Sequence, residues 1–300
     1  MTEIEVPTGV VWAGQNPLVE YRRIDASQLR ARHFFKLAAE GTITRLAPLD
    51  HLADDGAEAL IGSIHHMWRC GSTLLCRQLS VLPGVIALSE PYLFSNLLIG
   101  HPQPADLLQR RLRQLAAALG EALTPLADRI VIKWPGLLAQ HAAELSAAFP
   151  AMRSVFLHRD PIEVLASIEQ RPLGRALALP ARYYGATSID DPDSLAGAAS
   201  LLARNIAALR DRSEVRSCDY ARLAGGGALA VARWLDLSVD DYATARIAEI
   251  TRWDAKRKPN SHAFSDDSLL KQQQASKLAR DLASFEAWPE IWPTGWLHPA

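Results

Sequence analysis

Ile61-Gly62-Ser63-Ile64-His65-His66-Met67-Trp68-Arg69-Cys70-Gly71-Ser72-Thr73-Leu74-Leu75 is the stretch on which the fold turns. Residues 60–67 read as a buried strand. A polar turn follows, and a helix opens at Gly71-Ser72-Thr73, runs to about Val81 and is ended by Pro83-Gly84. A helix opening of this kind presents backbone N–H groups and a partial positive charge, which suits a phosphate. The Ser72 and Thr73 hydroxyls would add donors and Arg69 a neutralising charge. The same letters also allow a simpler reading, with Ser72 as an N-cap and Arg69 as a surface cation.

Working outward, apolar runs and amphipathic segments alternate. Val85–Leu88 reads as a second strand ending at Ser89-Glu90-Pro91. Leu108, Leu112, Leu115 and Leu119 recur at helical spacing, which predicts a helix over 105–123. Arg129–Ile132 is a strand ending at Lys133-Trp134-Pro135-Gly136, and a helix is expected over 137–149. Ser154–Leu157 is a strand ending at His158-Arg159-Asp160-Pro161, where Pro161 suits a first helical position. Residues 171–192 read as a loop or lid. A helix over 193–212, a strand at Val215–Cys218, and helices over 227–236 and 240–254 follow. Strands separated by helices predict an α/β fold, a three-layer α/β/α arrangement around a central parallel sheet. Such sheets bind ligands at the carboxyl ends of their strands. Residues 1–56 read as an N-terminal extension packed on the core, with one helix over Ala26–Glu40, and 57–300 as the main domain.

Composition narrows the partners. A formal net charge of −1 gives no reason to expect nucleic acid or an anionic membrane. Any anion site must then be a local cluster of cations. Arg supplies 26 of the 32 basic residues, so each Lys stands out. Three cysteines without a CxxC pair point to a reducing, cytoplasmic setting. The first residues lack a signal-peptide pattern, and no apolar run approaches the ~20 residues of a membrane span.

The phosphate loop departs from the P-loop pattern, which needs Gly-Lys before the Ser/Thr, with the Lys on the terminal phosphates and the hydroxyl on Mg²⁺. Here the cation is Arg69, on the other side of Gly71. Arg159 at a strand end and Ser167, eight residues on, could converge on a second anion. They could equally be a neighbour-paired Arg and a tolerated helix Ser. Lys133 closes an apolar strand; it could be a solvated strand end, but its position beside the other strand ends favours the same cleft. His65 and His66 lead into the loop, where one could touch a ligand, although capped or solvent-facing rings are the plainer reading, and Cys70 reads as a small filler.

Together these groups resemble the PAPS-dependent sulfotransferases, over roughly residues 60–260. In that family a P-loop-like motif binds the 5′-phosphosulfate, and an Arg and a Ser eight residues later bind the 3′-phosphate. Arg159 and Ser167 have that spacing. Asp219-Tyr220-Ala221-Arg222-Leu223 resembles the family's Tyr-Glu-Asp-Leu segment, and Ala232–Leu237 the helix after it. The resemblance implies a P-loop NTPase-like sulfotransferase fold, with PAPS as co-substrate and no metal. Arg69, Cys70, Gly71, Ser72, Thr73 and Leu74 would hold the phosphosulfate. Arg159, Ser167 and Tyr220 would hold the other end. Lys256, Arg257 and Lys258 would form a late basic loop over the 3′-phosphate and adenine, although such a run is equally a solvated one.

The motif pattern is closest to the tyrosylprotein sulfotransferase branch. Cytosolic members place a catalytic His where Pro135 stands. The tyrosylprotein type uses an Arg in the loop, a Glu at the end of the second strand and a Lys, which Arg69, Glu90 and Lys133 match in kind and spacing. Glu90 would then be the base, although a charge before a helix starting at Pro91 is the plainer alternative. Two departures are Cys70 for the usual Ser and Trp68 for a common Pro. The acceptor would be a small molecule or a peptide, and a homodimer stays open. Two rival readings remain: an ATP-dependent small-molecule kinase on a P-loop core, and a non-catalytic nucleotide-binding protein.

Overall fold

Alternation within the strands builds the three layers. In the computed structural model, which describes residues 3–31, 35, 41–170, 195–210, 212–252 and 273, five strands form a parallel sheet. They are β4 (Leu60–His66), β5 (Val85–Ser89), β6 (Arg129–Lys133), β7 (Arg153–His158) and β8 (Val215–Asp219), in the order β5-β6-β4-β7-β8. Successive side chains of a strand face opposite ways. Val131 and Ala87 therefore join one core, while Ile130, Ile132, Ile86 and Leu88 join the other. The strands are apolar on both faces, as a covered parallel sheet requires. The expected α/β/α architecture is the observed one.

One core packs against helices Ser72–Leu79 (α2), Pro161–Gln170 (α6), Leu195–Arg210 (α7), Ala228–Trp234 (α8) and Asp241–Thr251 (α9). The other packs against Tyr92–Gly100 (α3) and Ala105–Leu123 (α4). The helix expected over 137–149 is a 3₁₀ turn, Gly136–His141, followed by a shorter helix, Ala142–Ala148 (α5). The last residue of that 3₁₀ turn, His141, leads directly into α5.

The N-terminal region differs most from expectation. It is a three-stranded antiparallel sheet, β1 (Glu3–Ala13), β2 (Asn16–Asp25) and β3 (Ile43–Pro48). Of the expected helix over Ala26–Glu40, only Ala26–Ala31 (α1) is described as a continuous helix. Val19 and Tyr21 are buried while Glu20 and Arg22 are partly exposed, the period of two that marks a half-buried strand. Gly14 takes φ 65 in a two-residue turn between β1 and β2, a conformation that glycine tolerates without steric cost. The sheet is tied to α3. Asn96 Nδ2 donates to the Val10 carbonyl at 3.0 Å, and Trp12 Nε1 donates to the Asn96 carbonyl at 3.1 Å. Arg111 on α4 holds Asp50, just beyond β3, through two bonds of 2.8 and 2.7 Å.

Within β4, burial pushes the His65 imidazole down to about 3, and its Nδ1 has no hydrogen-bond partner among the described residues. A histidine kept neutral in the fold but free to charge when unfolded costs stability in acid. Its contribution is intact above the unfolded value near 6.5 and is lost as pH falls from there toward 3. Chemical denaturation at stepped pH is therefore expected to give a shallower loss across that window for His65→Phe than for the unmodified protein.

Candidate active site

Parallel register gathers the strand ends. Ser89 pairs with Lys133, Ile64 with Lys133 on the other side, His66 with Leu157, and His158 with Asp219. The chain reverses its winding at β4, so the edge beside His66 is the topological switch point where such sheets take ligands. The loop at 67–71, Glu90, Lys133, Arg159 and Tyr220 stand at or directly after these strand ends.

The loop after β4 is strained. Trp68, Arg69 and Gly71 have φ of 35°, 49° and 82°. A left-handed non-glycine residue costs about 1–2 kcal/mol, and such residues cluster at functional sites. Gly71 is the N-cap of α2 and supplies no side-chain cap. Ser72 is therefore inside the helix rather than its cap, contrary to the simpler reading. The first amides of α2 are left to be satisfied by something other than a capping side chain. Ser72 and Thr73 are buried and Leu74 is partly exposed. A Cβ added at Gly71 would lie 2.5 Å from Cδ2 and Cε2 of Tyr220, so the Tyr220 ring sits against the mouth of the loop. The Trp68 ring lies on Gly136, where an added Cβ would come within 2.6 Å of its Cε2. That packing gives the bulky residue at 68 a structural role.

Beside the loop, Lys133 Nζ lies 2.7 Å from Glu90 Oε1. The Lys133 side chain is 1% exposed and that of Glu90 23%. The Glu90 backbone N–H also donates to the Lys133 carbonyl at 2.8 Å, so the two residues are joined twice. Glu90 has φ 56°, a further left-handed residue, and this conformation turns the chain from the end of β5 into α3. His66 Nε2 faces the same Oε1 at 3.8 Å, and His66 Nδ1 accepts the Trp68 backbone N–H at 3.2 Å. His65 and His66 are both buried, against the expectation of capped or solvent-facing rings. Sequence reasoning weighed a ligand contact for one of these histidines and favoured the plainer reading; the signal for His66 is that it ends the strand from which the loop springs.

At the other end of the edge, Arg159 is 6% exposed and its guanidinium carbon lies 4.7 Å from the centroid of the Tyr220 ring. Arg159 also pairs with Glu163 one turn along α6, through both Nε and Nη2. The neighbour-paired alternative is thus present in the fold, together with the contact to Tyr220. Ser167 lies further along the same helix, partly exposed. Tyr220 follows Asp219, whose carboxylate accepts the Ala221 N–H at 2.7 Å and caps the turn Tyr220–Arg222. His158 is held below its ordinary value by burial, against the raising influence of Asp219 at 4.0 Å.

Cys70 points inward. Its Sγ donates to the Leu157 carbonyl at 3.2 Å, and burial pushes the thiol up to about 11. Only its backbone is placed to face an anion in the loop. Lys256, Arg257 and Lys258, and the expected lid over 171–192, lie outside the described residues. Among the described residues no group of three or more His, Cys, Asp or Glu is arranged to hold a metal ion, and no helix is long and apolar enough to cross a membrane.

No protein-family model matches the chain, and no curated protein does. Solved structures do. The sulfotransferase STF9 from Mycobacterium avium aligns at 15% identity and a TM-score of 0.43, covering 75% of this chain and 76% of that one. The sulfotransferase domain of the Synechococcus PCC 7002 olefin synthase aligns at 17% and 0.43, covering 73% and 94%. The sulfotransferase domain from the curacin biosynthetic pathway aligns at 13% and 0.47, covering 75% and 97%.

Proposed function

We propose that this protein is a PAPS-dependent sulfotransferase that moves a sulfuryl group to a hydroxyl or amine with Glu90 as base. The observation that carries the reading is the Lys133–Glu90 pair, held at 2.7 Å beside a strained, glycine-capped anion loop. A buried ammonium and a carboxylate at the same strand ends supply the two charges that sulfuryl transfer needs. The residue motifs described above, in their order along the chain, support the same reading.

The amides at the start of α2 and the Arg69 side chain would bind the 5′-phosphosulfate, with Ser72 and Thr73 lining the turn. Arg159, Tyr220 and Ser167 would receive the 3′-phosphate, with Lys256–Lys258 closing over it. Binding there requires the phosphate to share Arg159 with Glu163. In the transfer step the acceptor's O or N forms a bond to sulfur as the bridging S–O bond breaks. The acceptor proton passes to Glu90, and the electron pair leaves on the phosphate oxygen. Lys133 and Arg69 are fixed cations for that charge, so little reorganisation is needed as it develops. The loose phosphoryl transfer of kinases is the nearest analogue, and there too positioning does most of the work. Among known branches the choice of base resembles the tyrosylprotein type. The acceptor class remains hydroxyl or amine, on a small molecule or a peptide.

Calorimetry with adenosine 3′,5′-bisphosphate tests the reading. Binding is expected with equal affinity in the presence and absence of EDTA, and to be tighter than for ATP. Absence of binding by the unmodified protein would overturn it, and EDTA-sensitive binding of ATP alone would replace it with a kinase.

A further inference from the structure

The proposed base is fixed by more than Lys133. We infer that His66 is a positioning residue that couples the phosphate loop to Glu90, an inference that rests on the proposed function and deepens it.

The geometry assigns each ring nitrogen its own task. Nδ1 accepts the Trp68 N–H at 3.2 Å, so in the neutral ring it carries no proton. The proton is then on Nε2, which faces Glu90 Oε1 at 3.8 Å. That separation exceeds a hydrogen bond, so the interaction is an electrostatic one between a ring that is 3% exposed and a carboxylate that is 23% exposed.

Two consequences follow. Lys133 and His66 both address Oε1 of the carboxylate that would take the acceptor proton, so both bear on how that carboxylate is presented. His66 itself cannot be the base in this tautomer, because Nδ1 is engaged by the loop and Nε2 already carries a proton. The same ring also braces the loop. Its bond to Trp68 is made at a residue with φ 35°, where an anchor offsets backbone strain next to Arg69. One imidazole therefore ties the group that receives the proton to the loop that holds the phosphosulfate.

Two half-replacements separate the tasks. Asn places an acceptor near the position of Nδ1 and lacks the reach of Nε2. Gln places an amide N–H near Nε2 and has no acceptor at Nδ1. The readouts are bisphosphate affinity by calorimetry and turnover of PAPS with water as acceptor, measured as bisphosphate release, with thermal melts to confirm folding. His66→Asn is expected to keep bisphosphate affinity and to lose about tenfold in turnover at saturating PAPS, a fraction of what a general base supplies. His66→Gln is expected to show the reverse, weaker bisphosphate binding with turnover closer to the unmodified protein. His66→Leu is expected to lose both. If Asn and Gln fall equally in both readouts, or if Asn turns over like the unmodified protein, His66 only fills space and the inference fails. An unmodified protein that binds no bisphosphate would instead sink the function, and this inference with it.

Discussion

Glu90→Gln is expected to lower sulfuryl transfer by about 10²–10⁴-fold, the range a positioned general base contributes. Bisphosphate affinity is expected to stay close to that of the unmodified protein, because neither the loop amides nor Arg159 is altered. The substitution preserves shape and leaves Lys133 a neutral oxygen within reach, so it isolates the proton-accepting role. The measurement is bisphosphate release from PAPS beside calorimetry on the same preparation. Transfer that survives the change removes Glu90 as base, and a joint loss of transfer and binding gives it a structural part in the loop instead.

Lys133 yields the second large effect and a diagnostic asymmetry. Lys133→Met removes the cation that the proposed mechanism directs at the leaving oxygen, and a loss of about 10²–10³-fold in transfer is expected, as for a single preorganised donor. Its cost to the fold is expected to be small. Glu90 is 23% exposed and can turn to water, while Met fills the volume of the buried stem. Glu90→Ala is the opposite case. It takes away the carboxylate 2.7 Å from an ammonium that is 1% exposed, and breaking a buried pair from that side costs about 3 kcal/mol or more. Denaturant midpoints of the two variants decide this. Equal destabilisation would mean that Lys133 is better solvated than its burial implies. The double variant Glu90→Gln/Lys133→Met is expected to be less impaired than the product of the single effects, since the two groups act through one contact.

The parallel sheet was legible because its strands are short apolar runs bounded by Gly, Pro and polar turns, with amphipathic segments between them. Ile130-Val131-Ile132 can be buried on both faces only if helices cover both faces. The N-terminal sheet carried a comparable signal in Val19-Glu20-Tyr21-Arg22 and in the turn at Gly14. It lost out to the helical pattern of Ala26–Glu40 because an isolated hairpin shows no partner in one dimension. Its partners are Asn96 on α3 and Arg111 on α4, more than 60 residues away.

Within the site, residue types and spacing nominated Arg69, Lys133 and Arg159, because chemistry placed at strand ends repeats along the chain in step with the fold, and the family resemblance added Glu90 and Tyr220. Spacing could not pair them. That Lys133 meets Glu90, that Tyr220 lies against Gly71 and beneath Arg159, and that His66 reaches both Trp68 and Glu90 are facts of strand order and register. Local sequence determines which segments are strands and where their polar ends lie, since periodicity and turn chemistry act over a few residues. Which ends become neighbours is decided only when β4 is sandwiched between β6 and β7, because hydrogen bonds across a sheet join residues of any separation along the chain.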